Sequence, residues 1–63
     1  METLINNLIN GNLTQAKQQA KRFSEWAIRD ALEDNGYHTH AKAVLAAAWL
    51  KGRDCWQEYC DAD

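Results

Sequence analysis

Eight consecutive apolar residues, Ala43 to Leu50, stand in the second half of a chain of only 63. Thr39 precedes them as an N-cap and Gly52 follows at the usual C-terminal glycine position, so the pattern predicts a helix from His40 to Lys51. Its apolar residues cover nearly every direction of the helical wheel, and a helix that is apolar all round is buried all round. Five of them are alanines, which let neighbouring backbones approach closely, while Leu45 and Trp49 fill volume on one side. In so short a chain, enclosing this helix requires all the other helices around it or a second subunit.

The rest of the sequence supplies short helices to do this. Gly11, Gly36 and Gly52 each follow an apolar run and there is no proline, which is how helices end and restart. A first helix is expected over Thr3–Asn10, with Leu4, Ile5, Leu8 and Ile9 on one stripe, and a second over Leu13–Phe23, capped by Asn12 or Thr14. Ser24 caps a third over Glu25–Asp34, and Asp54 opens the last, with Cys55, Trp56, Tyr59 and Cys60 inside and Asp61–Asp63 frayed. The fold expected is all-α, a compact bundle of four or five short helices forming a single domain over residues 1–63. Its core is expected to comprise Leu4, Ile5, Leu8, Ile28, Leu32, Val44, Leu45, Trp49, Leu50, Trp56 and Tyr59.

A chain of this size buries only about 60% of the surface it exposes when unfolded. At 46% hydrophobic a core is within reach, although without disulfides or metal it rarely yields more than about 3–5 kcal/mol. Cys55 and Cys60 lie five positions apart on one helix, roughly 140° around its axis, and do not face each other. The first residues lack the basic region of a signal peptide, and eight apolar residues are too few to span a bilayer. A reducing, cytoplasmic setting with no membrane contact is expected.

Charge is divided unevenly. Residues 1–29 carry four cations, Lys17, Lys21, Arg22 and Arg29, against two carboxylates, a balance of +2; residues 30–63 carry three against seven, a balance of −4. Lys17, Lys21 and Arg22 read as a basic strip. Trp26 lies nearly opposite the apolar face of its helix, among Arg29, Asp30 and Glu33. It either packs on the preceding helix across the Ser24 corner or is left exposed as an interface residue, a role in which Trp is enriched. Trp26, Arg29, Lys17, Lys21 and Arg22 are therefore the candidate partner-binding residues.

Chemistry finds little footing. His38, His40, Cys55 and Cys60 form the only set suited to zinc, but the histidines are not a helical i, i+4 pair and the cysteines diverge. The cysteines are expected as buried small side chains and the histidines as solvated. No order of Ser24, the histidines and the cysteines suggests a nucleophile with its base. Neither catalytic residues nor a cofactor are expected. The segments Glu25–Asp34, Asn35–His38 and Thr39–Lys51 have the form of a helix-turn-helix. Yet the second helix offers only His40, Lys42 and Lys51 among alanines, where base edges and phosphates require polar and basic groups. Nucleic acid is accordingly disfavoured as a partner.

Asn10-Gly11-Asn12-Leu13-Thr14, Ala16-Lys17, Ala20-Lys21-Arg22-Phe23-Ser24, Gly36-Tyr37 and Leu50-Lys51-Gly52 resemble small uncharacterised accessory proteins of bacterial plasmids and mobile elements. The resemblance implies a bacterial cytoplasmic setting and no mechanism. The function expected is a small non-enzymatic module that binds a protein partner or a second copy of itself, the alternative being a helix-turn-helix-like DNA-binding regulator. Trp26 and the Ala41, Ala48 side are the surfaces expected to be left for a homodimer.

Overall fold

The helix that must be enclosed is enclosed within one chain. In the computed structural model, which describes residues 1–62, five helices follow in order: α1 (Glu2–Ile9), α2 (Leu13–Ala20), α3 (Glu25–Asp34), α4 (His40–Leu50) and α5 (Trp56–Asp61). Among the described residues there is no strand. The helix α3 packs along α4, α1 pairs with α2, and α5 and α2 close on α4 from other sides. The accessible surface is 3959 Å², against about 4,100 Å² expected of a compact monomer of this mass. No second subunit is needed to bury α4.

The core differs in kind from the expected one. Leu4, Ile5, Leu8, Ile28, Leu32, Leu50 and Tyr59 are buried as expected, but they close on Ala16, Ala20, Ala43, Ala46 and Ala47, all at 0% exposure. Val44, Leu45 and Trp49, expected inside, are half-buried, and Trp56 is exposed. Where helices meet at the short end of the usual 8–10 Å separation, only a methyl group fits between the axes, so larger side chains are displaced to the flanks. Ala48 is also buried, leaving Ala41 alone of the two alanines expected at the surface. Ile9 is likewise half-exposed, at the outer edge of its stripe.

Three helices end in the same way. At the end of α3, Gly36 takes a left-handed conformation (φ 72°), its N–H donates to Glu33 O, and the Tyr37 N–H donates to Leu32 O. This double closure satisfies two otherwise orphaned carbonyls, and a glycine adopts its conformation without strain. Gly11 and Gly52 close α1 and α4 by the corresponding pairs of bonds. The starts of α3 and α4 are also as expected, with Ser24 Oγ accepting from Ala27 N at 3.1 Å and Thr39 Oγ1 from Lys42 N at 3.4 Å.

Two boundaries differ. The second helix stops at Ala20 rather than Phe23, because Lys21–Phe23 tighten into a turn of i to i−3 bonds. With no glycine to close it, α2 borrows a cap: Lys51 Nζ donates to Ala20 O (3.0 Å) and Phe23 O (2.9 Å). A cation there also complements the helix dipole. The last helix begins at Trp56 with Cys55 as its N-cap, so Asp54 caps nothing. Asp61, expected to fray, is the last helical residue and accepts from Gln57 Nε2; Asp63 lies outside the described residues.

Three substitutions test this packing. Ala46→Leu is expected to destabilise the chain by about 1–3 kcal/mol through overpacking, while Ala41→Leu on the exposed side of the same helix stays within about 0.5 kcal/mol; urea unfolding followed by circular dichroism separates them. Lys51→Met, which removes the cap of α2, is expected to cost about 1 kcal/mol in the same assay.

Candidate functional site

The five residues singled out from the sequence fall into three separate places. Trp26 and Arg29 share a cleft of about 140 Å³ between α3 and α4, which Glu25, Val44 and Ala47 complete. Lys17 and Lys21 line a groove of about 230 Å³ with Leu50, Lys51 and Gly52. Arg22 borders a third hollow, beside Met1, Leu4 and Phe23. The basic strip is therefore not one surface. At helical spacing Arg22 already lies about 100° around the axis from Lys21 and about 140° from Lys17, and it faces a different hollow.

In the α3–α4 cleft the exposed alternative for Trp26 holds. At 63% exposure it is the most exposed large apolar side chain among the described residues. Polar links between the antiparallel helices frame the cleft at both ends. Arg53, just beyond α4, pairs with Glu25 at the start of α3. His40, at the start of α4, meets Glu33 near the end of α3, with Nδ1 to Oε1 at 2.6 Å. Between them Arg29 lies 3.5 Å from Asp30 and 3.8 Å from Glu33. The Arg29 Nε, the atom 3.8 Å from Glu33 Oε2, is shielded from solvent and makes no hydrogen bond.

A second cluster, on the opposite side of α4, was not visible in the sequence. His38, expected to be solvated, is half-buried against α5, with its ring 5.4 Å from that of Tyr59. Its Nδ1 lies 2.8 Å from Tyr37 O and its Nε2 lies 2.9 Å from Tyr59 Oη. A carbonyl can only accept, so Nδ1 carries the proton and Nε2 accepts from the Tyr59 hydroxyl. The aromatic series continues through Trp56 to Trp49, and Lys42 and Lys17 lie over the Tyr59 and Trp49 rings at 5.1 and 4.3 Å. Partners 21 residues apart in sequence leave no local signal of this pairing.

The remaining candidates for chemistry do not converge. Cys55 is half-buried and its thiol donates to Leu45 O at 3.4 Å, whereas Cys60, expected inside, is exposed. Among the described residues no group of three or more His, Cys, Asp or Glu side chains is placed to hold a metal ion, and no helix is long and apolar enough to cross a membrane. The helix α4, which a helix-turn-helix would lay in a DNA groove, has Ala43, Ala46, Ala47, Ala48 and Leu50 buried against its neighbours. Compared with protein-family models, with curated proteins and with solved structures, the chain matches none.

Burial lowers the His38 pKa below the ordinary value of 6.5, opposed by the hydrogen bond to the Tyr37 carbonyl and helped by the nearby Lys42 charge. The unfolded chain therefore binds this proton more readily than the folded one, and stability rises with pH between the two values. The His38 contribution is complete above pH 6.5 and is lost as pH falls through the lower folded value. The melting temperature is expected to fall from pH 7 to pH 5, and His38→Gln is expected to reduce that fall; an identical slope in the variant contradicts the assignment.

Proposed function

We propose that this chain is a small, non-enzymatic, cytoplasmic module, accessory to a bacterial mobile element, that acts by binding a protein partner or a second copy of itself. The observation that supports this is the α3–α4 cleft, where an exposed Trp26 stands beside Arg29, whose hydrogen-bonding capacity is only partly used. Trp and Arg are the residue types most enriched at binding hot spots. The Arg53–Glu25 ion pair at one end and the His40–Glu33 contact at the other hold the cleft walls in register before any partner arrives, which lowers the ordering cost of association. The bacterial setting rests on the resemblance of the helix-boundary segments to accessory proteins of plasmids. A DNA-binding regulator is the weaker reading, because α4 is enclosed and the basic residues are dispersed over three hollows.

A photo-crosslinking amino acid at position 26, introduced in the host cell, is expected to capture one discrete protein or a second copy of the chain. Trp26→Ala in the purified proteins is then expected to weaken that complex about 30-fold, equivalent to about 2 kcal/mol, with helicity unchanged. Binding to duplex DNA that Lys17→Glu and Lys21→Glu weaken, with no crosslink at position 26, would overturn the reading.

A further inference from the structure

The sequence holds two Asn-Gly pairs, Asn10-Gly11 and Asn35-Gly36, and each stands at the C-terminal end of a helix, α1 and α3. Glycine has no side chain to keep its backbone nitrogen from the Cγ of a preceding asparagine, so these are the pairs most prone to lose the carboxamide. The deprotonated glycine nitrogen forms a bond to Asn Cγ, the Cγ–Nδ2 bond breaks and ammonia leaves. Water then opens the resulting five-membered imide at one carbonyl or the other, giving aspartate or isoaspartate. Both pairs are exposed to that water.

The two asparagines share one backbone conformation, φ −85° and ψ 0° at Asn10 against φ −93° and ψ 4° at Asn35. With ψ near zero the glycine nitrogen is turned away from Cγ, so the reaction passes through local opening of the helix end, and the hydrogen bonds that resist opening decide between the sites. Those bonds differ. At Asn35 the leaving group is itself held, Nδ2 donating to Ala31 O at 2.8 Å, and the attacking Gly36 nitrogen donates to Glu33 O at 3.0 Å. The Tyr37 and His38 N–H groups both donate to Leu32 O, and the His38 ring is anchored on Tyr59 of another helix. At Asn10 the carboxamide makes no hydrogen bond among the described residues, and the Gly11 nitrogen donates to Leu8 O at 3.3 Å. Asn12 holds to Asn7, through its N–H at 2.8 Å and its side chain at 3.4 Å. Asn7 lies in the last turn of α1, so these bonds open with it.

We infer that Asn10 is a site of spontaneous deamidation in the folded chain and that Asn35 is protected, so that the end of α1 is where this fold ages. Either product places a carboxylate at a helix C-terminus, where the dipole disfavours it. Isoaspartate also lengthens the backbone by a methylene and breaks the register of the bonds that Gly11 and Asn12 close. Because α1 supplies Leu4, Ile5 and Leu8 to the core, converted chains are expected to melt at a lower temperature. Incubation of the purified chain at mildly alkaline pH, with and without urea, tests this, with peptide mapping by mass spectrometry to follow each asparagine. In urea the two sites are expected to react at matching rates, whereas in the folded chain Asn10 is expected to react about tenfold faster than Asn35. The Gly11 amide is expected to exchange with deuterium faster than that of Gly36. Asn10→Gln, whose longer side chain closes the imide poorly, is expected to keep its melting temperature through the incubation while that of the wild type falls. Matching rates at the two sites of the folded chain, faster loss at Asn35, or a wild-type melting temperature that holds as Asn10 converts would each overturn the inference.

Discussion

Close approach of backbones to α4 is the constraint from which the remaining features follow. Ala43, Ala46 and Ala47 on that helix and Ala16 and Ala20 on α2 are at 0% exposure, and their small size is what lets helices of six to ten residues surround the eleven-residue α4 within one short chain. The same economy of volume explains the surface. Because methyl groups occupy the axis, Val44, Leu45 and Trp49 are turned to the flanks of α4, and the aromatic residues that meet them, Trp56 on α5 above all, are left at the rim. The surface proposed for binding, walled in part by Val44, is thus a by-product of how the core is filled.

Helices this short contribute little stability on their own, so their ends matter as much as their faces. Three ends are closed locally by glycine, and the fourth is closed by Lys51 from 31 residues away. The Lys51 contact, the His38–Tyr59 hydrogen bond and the Arg53–Glu25 pair all join segments distant in sequence. The exposed ion pair adds about 1 kcal/mol at most. Together these links specify which helix end lies beside which, and an alanine-lined interface, smooth along its length, specifies that poorly.

Local chemistry was legible where it decides the outcome. Ser24 and Thr39 cap the helices they precede, Glu25–Asp34 has the bounds expected, and each glycine stands where a helix closes. The place of Trp26 opposite the apolar face of α3 was legible, but whether the preceding helix would cover it across the Ser24 corner was not, and it stands 63% exposed. What the sequence did not reveal depends on partners far away along the chain. Hydrophobic size points to Trp49 and Trp56 as core residues, but the separation between helices, a tertiary quantity, selected alanines instead. The end of α2 at Ala20 rests on Lys51, just beyond α4. The His38–Tyr59 pair likewise has no signature before the chain folds.

Native-state hydrogen exchange tests most directly whether α4 is the enclosed centre of a single chain. At a concentration where the chain is monomeric, the amides of Ala46, Ala47, Ala48 and Leu50 are expected to exchange only through global unfolding, slowed about a thousandfold for a stability of about 4 kcal/mol. Those of the six-residue α5 are expected to exchange faster, through local opening. Amides of α4 that exchange as fast as those of α5, or that gain protection only as concentration rises, would contradict the account.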